Sequence, residues 1–410
     1  MIETMTPRER VLAAIERRQP DRVPIDVGGS SFTTIIGQAY ERLKSYLGIE
    51  SETHYMKRKS RSVLLDERVA QRLHTDTRPL VVGNPDGWQD VYYPDGSFQD
   101  EFRVIWRSAP GGHYNPVGSP LGAADLADLD AFPWPDPLDP GRTRGLRALA
   151  RRLHQETNYA IVLSLPVGFV HLSQYLRGYE QWLMDIILNP VFLETLMDRA
   201  LDWWLQLTGK VLEEVGPYVD VVAFGDDVAF HDRTIVDLGR YRKLFKPRHK
   251  QMVDLIKRKS QARVLYHCCG AVRTLIDEFI DIGVDALNPV QVSSAGMETA
   301  ELKAAFGDRI CFWGAIDTGH TLPMGTPDEV RAEVRRRIHD LAPGGGYVLA
   351  SVHNIQEDVP PENILAMVDA AVAFGPGTFP GDRVAGHSPG GSVLPQIPNL
   401  QEDRTTLPQR

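Results

Sequence analysis

Residues 263–270 read Arg263-Val264-Leu265-Tyr266-His267-Cys268-Cys269-Gly270, a short apolar run that ends in soft metal ligands and is stopped by glycine. An amphipathic segment, Ala271–Ile282, follows it. The stretch therefore predicts a buried strand leading through a ligand-bearing turn into a helix. Alternate side chains of an extended strand share a face, so His267 and Cys269 point one way and Cys268 the other, into packing. An imidazole and a thiolate on one face suit Zn²⁺, whose catalytic sites have three protein ligands and one open position. The structural alternative is that the cysteines are small buried hydrophobes and His267 a hydrogen-bonded core histidine.

The same β-then-α unit recurs on both sides. Strands are predicted at Tyr159–Leu165, Tyr218–Phe224, Ala286–Pro289, Ile310–Trp313 and Tyr347–Ser351. The predicted helices are Tyr179–Ile187, Val191–Val215, Arg240–Lys259, Glu298–Phe306, Pro327–Leu341 and Pro361–Ala373. Near the start, Thr6-Pro7-Arg8-Glu9 opens a helix with a capping threonine, and Arg22–Val27 reads as a first strand. Repeated units of this kind mean parallel strands, and about eight of them favour an α/β fold of the (β/α)8 TIM type over an open sheet. No glycine-rich phosphate fingerprint follows any strand, which removes the main support for a dinucleotide-binding sheet.

Insertions interrupt the N-terminal part. Val81–Arg107 alternates aromatic residues around turn signals and predicts a β-hairpin, and the Pro- and Gly-rich run Ser108–Arg142 reads as a covering loop. The barrel domain is placed at residues 1–374 and a Pro/Gly-rich disordered tail at 375–410. The chain has 410 residues, 42% hydrophobic and 24% charged, with no apolar run approaching the roughly 18 residues of a membrane helix. Its charge of −9 argues against nucleic acid as the main partner, and the basic run Lys243–Lys250 reads as a solvated face. Three cysteines, two of them adjacent, form no disulfide framework, and the charged start lacks a signal core, so a cytoplasmic location is expected.

In a barrel of this type chemistry sits where the strands end. These ends carry Asp226 and Asp227, then His267 and Cys269, Asn288 and Gln291, Asp317, and lastly His353 and Asn354. His353 leaves a strand at the same rim as His267 and Cys269 and is the preferred third metal ligand. Asp226 and Asp227 are candidates for proton handling or substrate orientation, with loop capping as the alternative. Asn288, Gln291, Asp317 and Asn354 are candidate substrate contacts; Asn288 before proline and Asp317 in its loop are equally read as turn and cap residues.

The ordered motifs resemble the uroporphyrinogen decarboxylase superfamily, and within it the zinc-dependent, corrinoid-linked methyltransferase-like branch. The resemblance runs from Thr6 to Ala373. It is carried by Thr6-Pro7-Arg8-Glu9-Arg10 with Pro20-Asp21-Arg22-Val23-Pro24, by Tyr175-Leu176-Arg177-Gly178, Gly225-Asp226-Asp227, Phe245-Lys246-Pro247-Arg248, His267-Cys268-Cys269-Gly270, Asn288-Pro289-Val290-Gln291, Gly314-Ala315-Ile316-Asp317 and His353-Asn354-Ile355. It implies a (β/α)8 barrel, a substrate contact at Tyr175, Zn²⁺ held by a His-x-Cys pair, and a corrinoid, free or on a partner protein, as methyl donor or acceptor. The family's later cysteine ligand is replaced here by His353, which removes one thiolate from around the metal; decarboxylases also carry a histidine there. The arginine-rich signature by which decarboxylases hold substrate carboxylates is missing, since that place reads Gly28-Gly29-Ser30-Ser31-Phe32-Thr33-Thr34. The expectation is a zinc-dependent methyltransferase for a small acceptor. A porphyrinogen decarboxylase is the alternative, and a non-catalytic binding barrel the outsider.

Overall fold

The computed structural model describes residues 3–57, 59–108 and 114–374. The tail expected at 375–410 lies outside the described residues. Seven parallel strands form one curved sheet: β1 (Thr77–Val81), β2 (Ala160–Ser164), β3 (Val221–Gly225), β4 (Arg263–His267), β5 (Ala286–Asn288), β6 (Cys311–Ile316) and β7 (Tyr347–Ser351), paired in chain order. The segment around Ile25 closes the barrel in the eighth position. Ile25 bridges Leu349 of β7 in parallel, and its carbonyl accepts the Asp76 N–H at 2.8 Å just before β1. It is irregular because Pro24 offers no N–H to a ladder. This is the TIM-type architecture the strand count predicts.

The interior is packed, not hollow. Small and medium side chains, among them Ala160, Val162, Ala223, Leu265, Ala286 and Val348, form one cluster together with Trp313. Val11, Ala14 and Ile15 of helix α1 (Pro7–Ile15) join the same cluster, so this helix plugs the barrel. Its predicted capping box is present, with Thr6 accepting from the Glu9 amide and Glu9 answering to the Thr6 amide. Buried Arg10 and Arg22 converge on Asp76, so the early motif residues are structural. A larger apolar shell fills the space between strands and surrounding helices. Among the described residues no helix is long and apolar enough to cross a membrane.

Several boundaries differ from the sequence reading. Strand β1 was not predicted, because Pro79 sits inside it and proline argues against a strand. The hairpin at 81–107 is part of a four-stranded antiparallel sheet, Val91–Tyr92, Phe98–Gln99, Ile105–Ser108 and Tyr114–Gly118, whose last strand falls in the supposed covering loop. The single helix expected over Arg240–Lys259 is two, Leu238–Leu244 and Lys246–Lys259, divided at Phe245 just ahead of Pro247. After the β4 turn, helix begins only at Ile276 and ends at Asp281, preceded by a 3-10 turn at Arg273–Leu275.

Candidate metal centre

Along β4 the alternation places Leu265 in the interior cluster and Val264, Tyr266 and Cys268 in the outer shell. Cys268 is buried there, and its sulfur accepts the Val228 N–H at 3.4 Å. His267 points to the barrel mouth. Parallel register sets Asn288 of β5 directly beside it, and His267 Nδ1 meets Asn288 Oδ1 at 2.5 Å. The Asn288 Nδ2 group donates to the Trp313 carbonyl at 3.0 Å, which orients the amide. Its oxygen therefore faces His267, places the proton on Nδ1 and leaves the Nε2 lone pair free.

That lone pair faces Cys269, whose Sγ lies 3.4 Å from His267 Nε2. His353, just beyond β7, completes the group: the ligand atoms of His267, Cys269 and His353 all lie within 4.8 Å of one another. Tetrahedral zinc with such ligands sets neighbouring donor atoms about 3.4–3.6 Å apart. The His267–Cys269 pair meets that spacing and His353 needs a modest side-chain adjustment, so the donor set fits the ion. At present His353 Nδ1 accepts the Asn354 N–H at 2.7 Å. Burial pulls the His267 pKa down and keeps the ring neutral, while burial and the nearby Asp227 push the Cys269 thiol well above its ordinary value. Phe32 packs on His267 with ring centroids 4.4 Å apart.

The two aspartates after β3 play different parts. Asp226 is fully buried; its Oδ1 accepts the His171 backbone N–H at 3.0 Å and its Oδ2 lies 3.3 Å from His249 Nε2. Gly168 permits this approach, since a Cβ there would sit 2.2 Å from Asp226 Oδ2. Asp227 accepts the Cys269 N–H on Oδ1 at 2.7 Å and reaches His171 Nε2 with Oδ2 at 3.5 Å. His171 Nδ1 lies 3.4 Å from Asp226 Oδ1, so the ring is held between both carboxylates. Burial alone would lower the His171 pKa, but the two aspartates outweigh it and raise it to about 10. In return, and against their own burial, both carboxyls are held below the usual range.

His171 and His249 were not singled out from sequence. His171 stands one helical turn before Tyr175 on the Phe169–Arg177 helix (α2), so the pairing of the two on one face was the available signal. His249 lies in the basic run read as a solvated face; it falls on the buried stripe with Met252, Val253 and Ile256. Tyr175 packs edge-on to Trp106 at 4.9 Å and its ring lies 5.8 Å from that of His171. Gln291 Oε1 accepts the Gly270 N–H at 2.8 Å and so braces the turn after Cys269. Asn354 is buried, its oxygen accepting from Thr34 N and its Nδ2 donating to the Ser31 carbonyl. Asp317 accepts N–H groups of Gly319 and His320, which is the capping arrangement. The structure thus gathers Asp226, Asp227, His267, Cys269, Asn288 and His353 around one mouth. Asp317 spends its polar atoms on backbone, and Asn354 on backbone and the Ser62 hydroxyl.

The chain overlays a methyltransferase from Methanosarcina mazei with a TM-score of 0.65 at 20% identity, covering 90% of this chain and 99% of that one. It is 36% identical over 263 residues to a uroporphyrinogen decarboxylase of Alkalilimnicola ehrlichii, 61% of this chain and 67% of that protein. It is also 30% identical over 178 residues to the methylcobamide:CoM methyltransferase MtaA of Methanosarcina barkeri, 43% of this chain and 48% of that protein. The chain spans about half the length of curated relatives such as this last one. The model of the family described as uroporphyrinogen decarboxylase (URO-D) matches residues 115–374, a stretch running from the antiparallel sheet through every strand from β2 to β7 and the whole ligand-bearing rim. With this match covering well over half of the chain and every ligand-bearing strand end, the chain belongs to the uroporphyrinogen decarboxylase family.

Proposed function

We propose that the protein is a zinc-dependent methyltransferase that moves a methyl group between a corrinoid, free or on a partner protein, and a small acceptor at the barrel mouth. The observation that carries the reading is the convergence of the His267, Cys269 and His353 ligand atoms within 4.8 Å of one another. Likeness to a methylcobamide:CoM methyltransferase supports the reaction class. When bound there, zinc supplies Lewis acidity that lowers the pKa of an acceptor thiol or hydroxyl.

The chain's own residues prepare the site. Asn288 holds His267 in the tautomer whose Nε2 faces the other ligands. Asp227 ties down the Cys269 backbone. Because its carboxyl is held well below the ordinary range by His171, Asp227 is a weak proton acceptor near neutral pH, and orientation is the role we assign it. The charged His171 ring offsets the two carboxylates beside the cleft. Tyr175 and Phe32 supply apolar walls that limit water.

The likeness to the Alkalilimnicola decarboxylase favours porphyrinogen decarboxylation as the second reading. Against it, residues 28–34 hold no arginine, and Phe32 of that loop lies on the His267 ring. The test is metal analysis of tag-free protein together with demethylation of methylcobalamin in the presence of a panel of thiols. One zinc per chain and thiol-dependent demethylation abolished by Cys269→Ala are expected. Zinc-free protein, or turnover of uroporphyrinogen, overturns the reading.

A further inference from the structure

We propose that Lys57 is an anion subsite at the barrel mouth and that it takes the carboxylate of a small aromatic monoacid, of the benzoate kind. This names a substrate class for the methyl-transfer site; it rests on that reading for the reaction but not for the binding. Lys57 ends the first strand of a hairpin, His54–Lys57 and Ser62–Leu64. It is paired with Ser62, and residues directly opposite in an antiparallel ladder put their side chains on one face. Ser62 shows where that face points. Its Oγ donates to the Ser31 carbonyl at 2.7 Å and accepts from Asn354 Nδ2 at 3.1 Å. Ser31 precedes Phe32, which lies on the His267 ring, and Asn354 follows the candidate ligand His353. The turn of the hairpin reaches the opposite wall, where the Lys59 ammonium sits 4.4 Å from the Trp106 ring, which packs on Tyr175 beside His171. The hairpin therefore spans the cleft from the metal ligands to the aspartate–histidine group.

Charge fixes the head of the ligand. Lys57 is half-buried, and among the described residues no acidic side chain forms an ion pair with it. Glu101 acts on it from a distance and is itself paired with Arg142, while neighbouring Lys59 spends its charge on Asp100. Desolvation, with Lys59 adding to it, brings the Lys57 pKa down to about 8. Buried charges are paired, so a desolvated ammonium without a protein counter-ion is one whose counter-ion arrives with the ligand. The chain carries −9 overall, yet has no acidic residue between His54 and Leu64, which makes this hairpin a place where an anion gathers. One ammonium balances one negative charge, and Asp100 and Glu101 nearby repel a second, so the site suits a monoanion and not a polycarboxylate. The walls set the body. Phe32 flanks the cleft on the metal side and Tyr175 on the other, and a flat ring is the shape that meets aromatic faces from both.

Isothermal titration calorimetry of benzoate into the full chain, as purified and after chelation of metal, tests it. One site per chain is expected in both preparations, with benzamide, the uncharged isostere, weaker by about 10-fold or more, the scale of a hydrogen bond to a charged group. Lys57→Met is expected to weaken benzoate by the same factor while keeping its circular dichroism spectrum and its metal content, and Lys57→Arg to retain binding. Lys243→Met, at an exposed lysine outside the hairpin, should bind as the parent does. Should Lys57→Met not fold, the comparison of benzoate with benzamide on the parent decides. A parent that ignores benzoate, or binds benzamide or inorganic phosphate as tightly, overturns the proposal. So does binding that survives in folded Lys57→Met or disappears with the metal. A chain that holds zinc and demethylates methylcobalamin but ignores benzoate sinks this inference alone, and one that binds benzoate through Lys57 without zinc sinks the metal reading alone.

Discussion

Asp227 Oδ1 accepts the backbone N–H of Cys269 at 2.7 Å, so a carboxylate from the end of β3 sets the backbone of a metal-ligand candidate at the end of β4. The bond needs an acceptor but no charge, whereas the contact with His171 needs the charge. Asp227→Asn separates the two. It is expected to keep stoichiometric zinc while methyl transfer falls about 10- to 100-fold, the usual scale for groups that orient a metal's ligands. Metal analysis and methylcobalamin turnover on one preparation check this; a variant that loses its zinc makes Asp227 part of the ligand shell instead.

Cys269→Ala and His353→Ala should each lose zinc and activity yet melt within a few degrees of the parent, whereas His267→Ala, which also strips buried Asn288 of its partner, should lose zinc and cost about 1–3 kcal/mol. The ligands sit at the rim of a packed barrel whose core needs no metal staple, and rim substitutions outside such cores usually cost about 0.5 kcal/mol or less. Inductively coupled plasma analysis beside thermal melts decides it. Full zinc occupancy in Cys269→Ala sinks the metal centre.

Asn288→Ala removes the acceptor that fixes the His267 tautomer and leaves the Nδ1 proton and the Trp313 carbonyl without their partner. Zinc affinity should drop about 10- to 100-fold, and stability should fall by about 1–3 kcal/mol for the buried groups left unpaired. Chelator competition and urea unfolding measure the two separately. Unchanged affinity would mean that the tautomer is set by something else.

Gly168→Ala places a methyl group 2.2 Å from Asp226 Oδ2. Asp226 cannot retreat, being buried and held by the His171 amide and by His249. The expected cost is about 1–3 kcal/mol, as for other overpacked sites, with a lowered melting temperature and His171 displaced. A variant as stable as the parent contradicts the packing described for Asp226.

His171 titrates near 10 in the folded chain against an ordinary 6.5, because Asp226 and Asp227 outweigh its burial. Its stabilising contribution is complete below about pH 6.5 and is lost as pH rises through about 10. The two carboxyls are depressed, so their share is present above the ordinary carboxylate pKa and is lost as pH falls through their lowered values. The stability gap between the parent and His171→Gln should therefore be widest between about pH 4.5 and 6.5 and should shrink toward pH 10. Denaturant titrations across that range test it, and a gap that widens with rising pH refutes the charged ring.

What the chain alone determined was everything that follows from local period and local chemistry. The two-residue repeat of β4 sent His267 and Cys269 one way and Cys268 the other, and the capping signal at Thr6-Pro7-Arg8-Glu9 appears in the structure as read. The polar residues that end the strands come together at one mouth, because a parallel barrel brings all its carboxyl ends to one side. Pro79 concealed β1, since a ladder position that tolerates proline is decided by the neighbouring strand. The tertiary structure alone decided that Asn288 meets His267, a matter of register between strands 21 residues apart. It also decided that His171 and His249 enclose Asp226 from positions 55 and 23 residues away, and that Asp317 faces backbone and Asn354 backbone and the Ser62 hydroxyl. Side-chain direction repeats along a strand and can be counted, whereas a contact between distant segments depends on how whole elements pack, and no single stretch of chain carries that information.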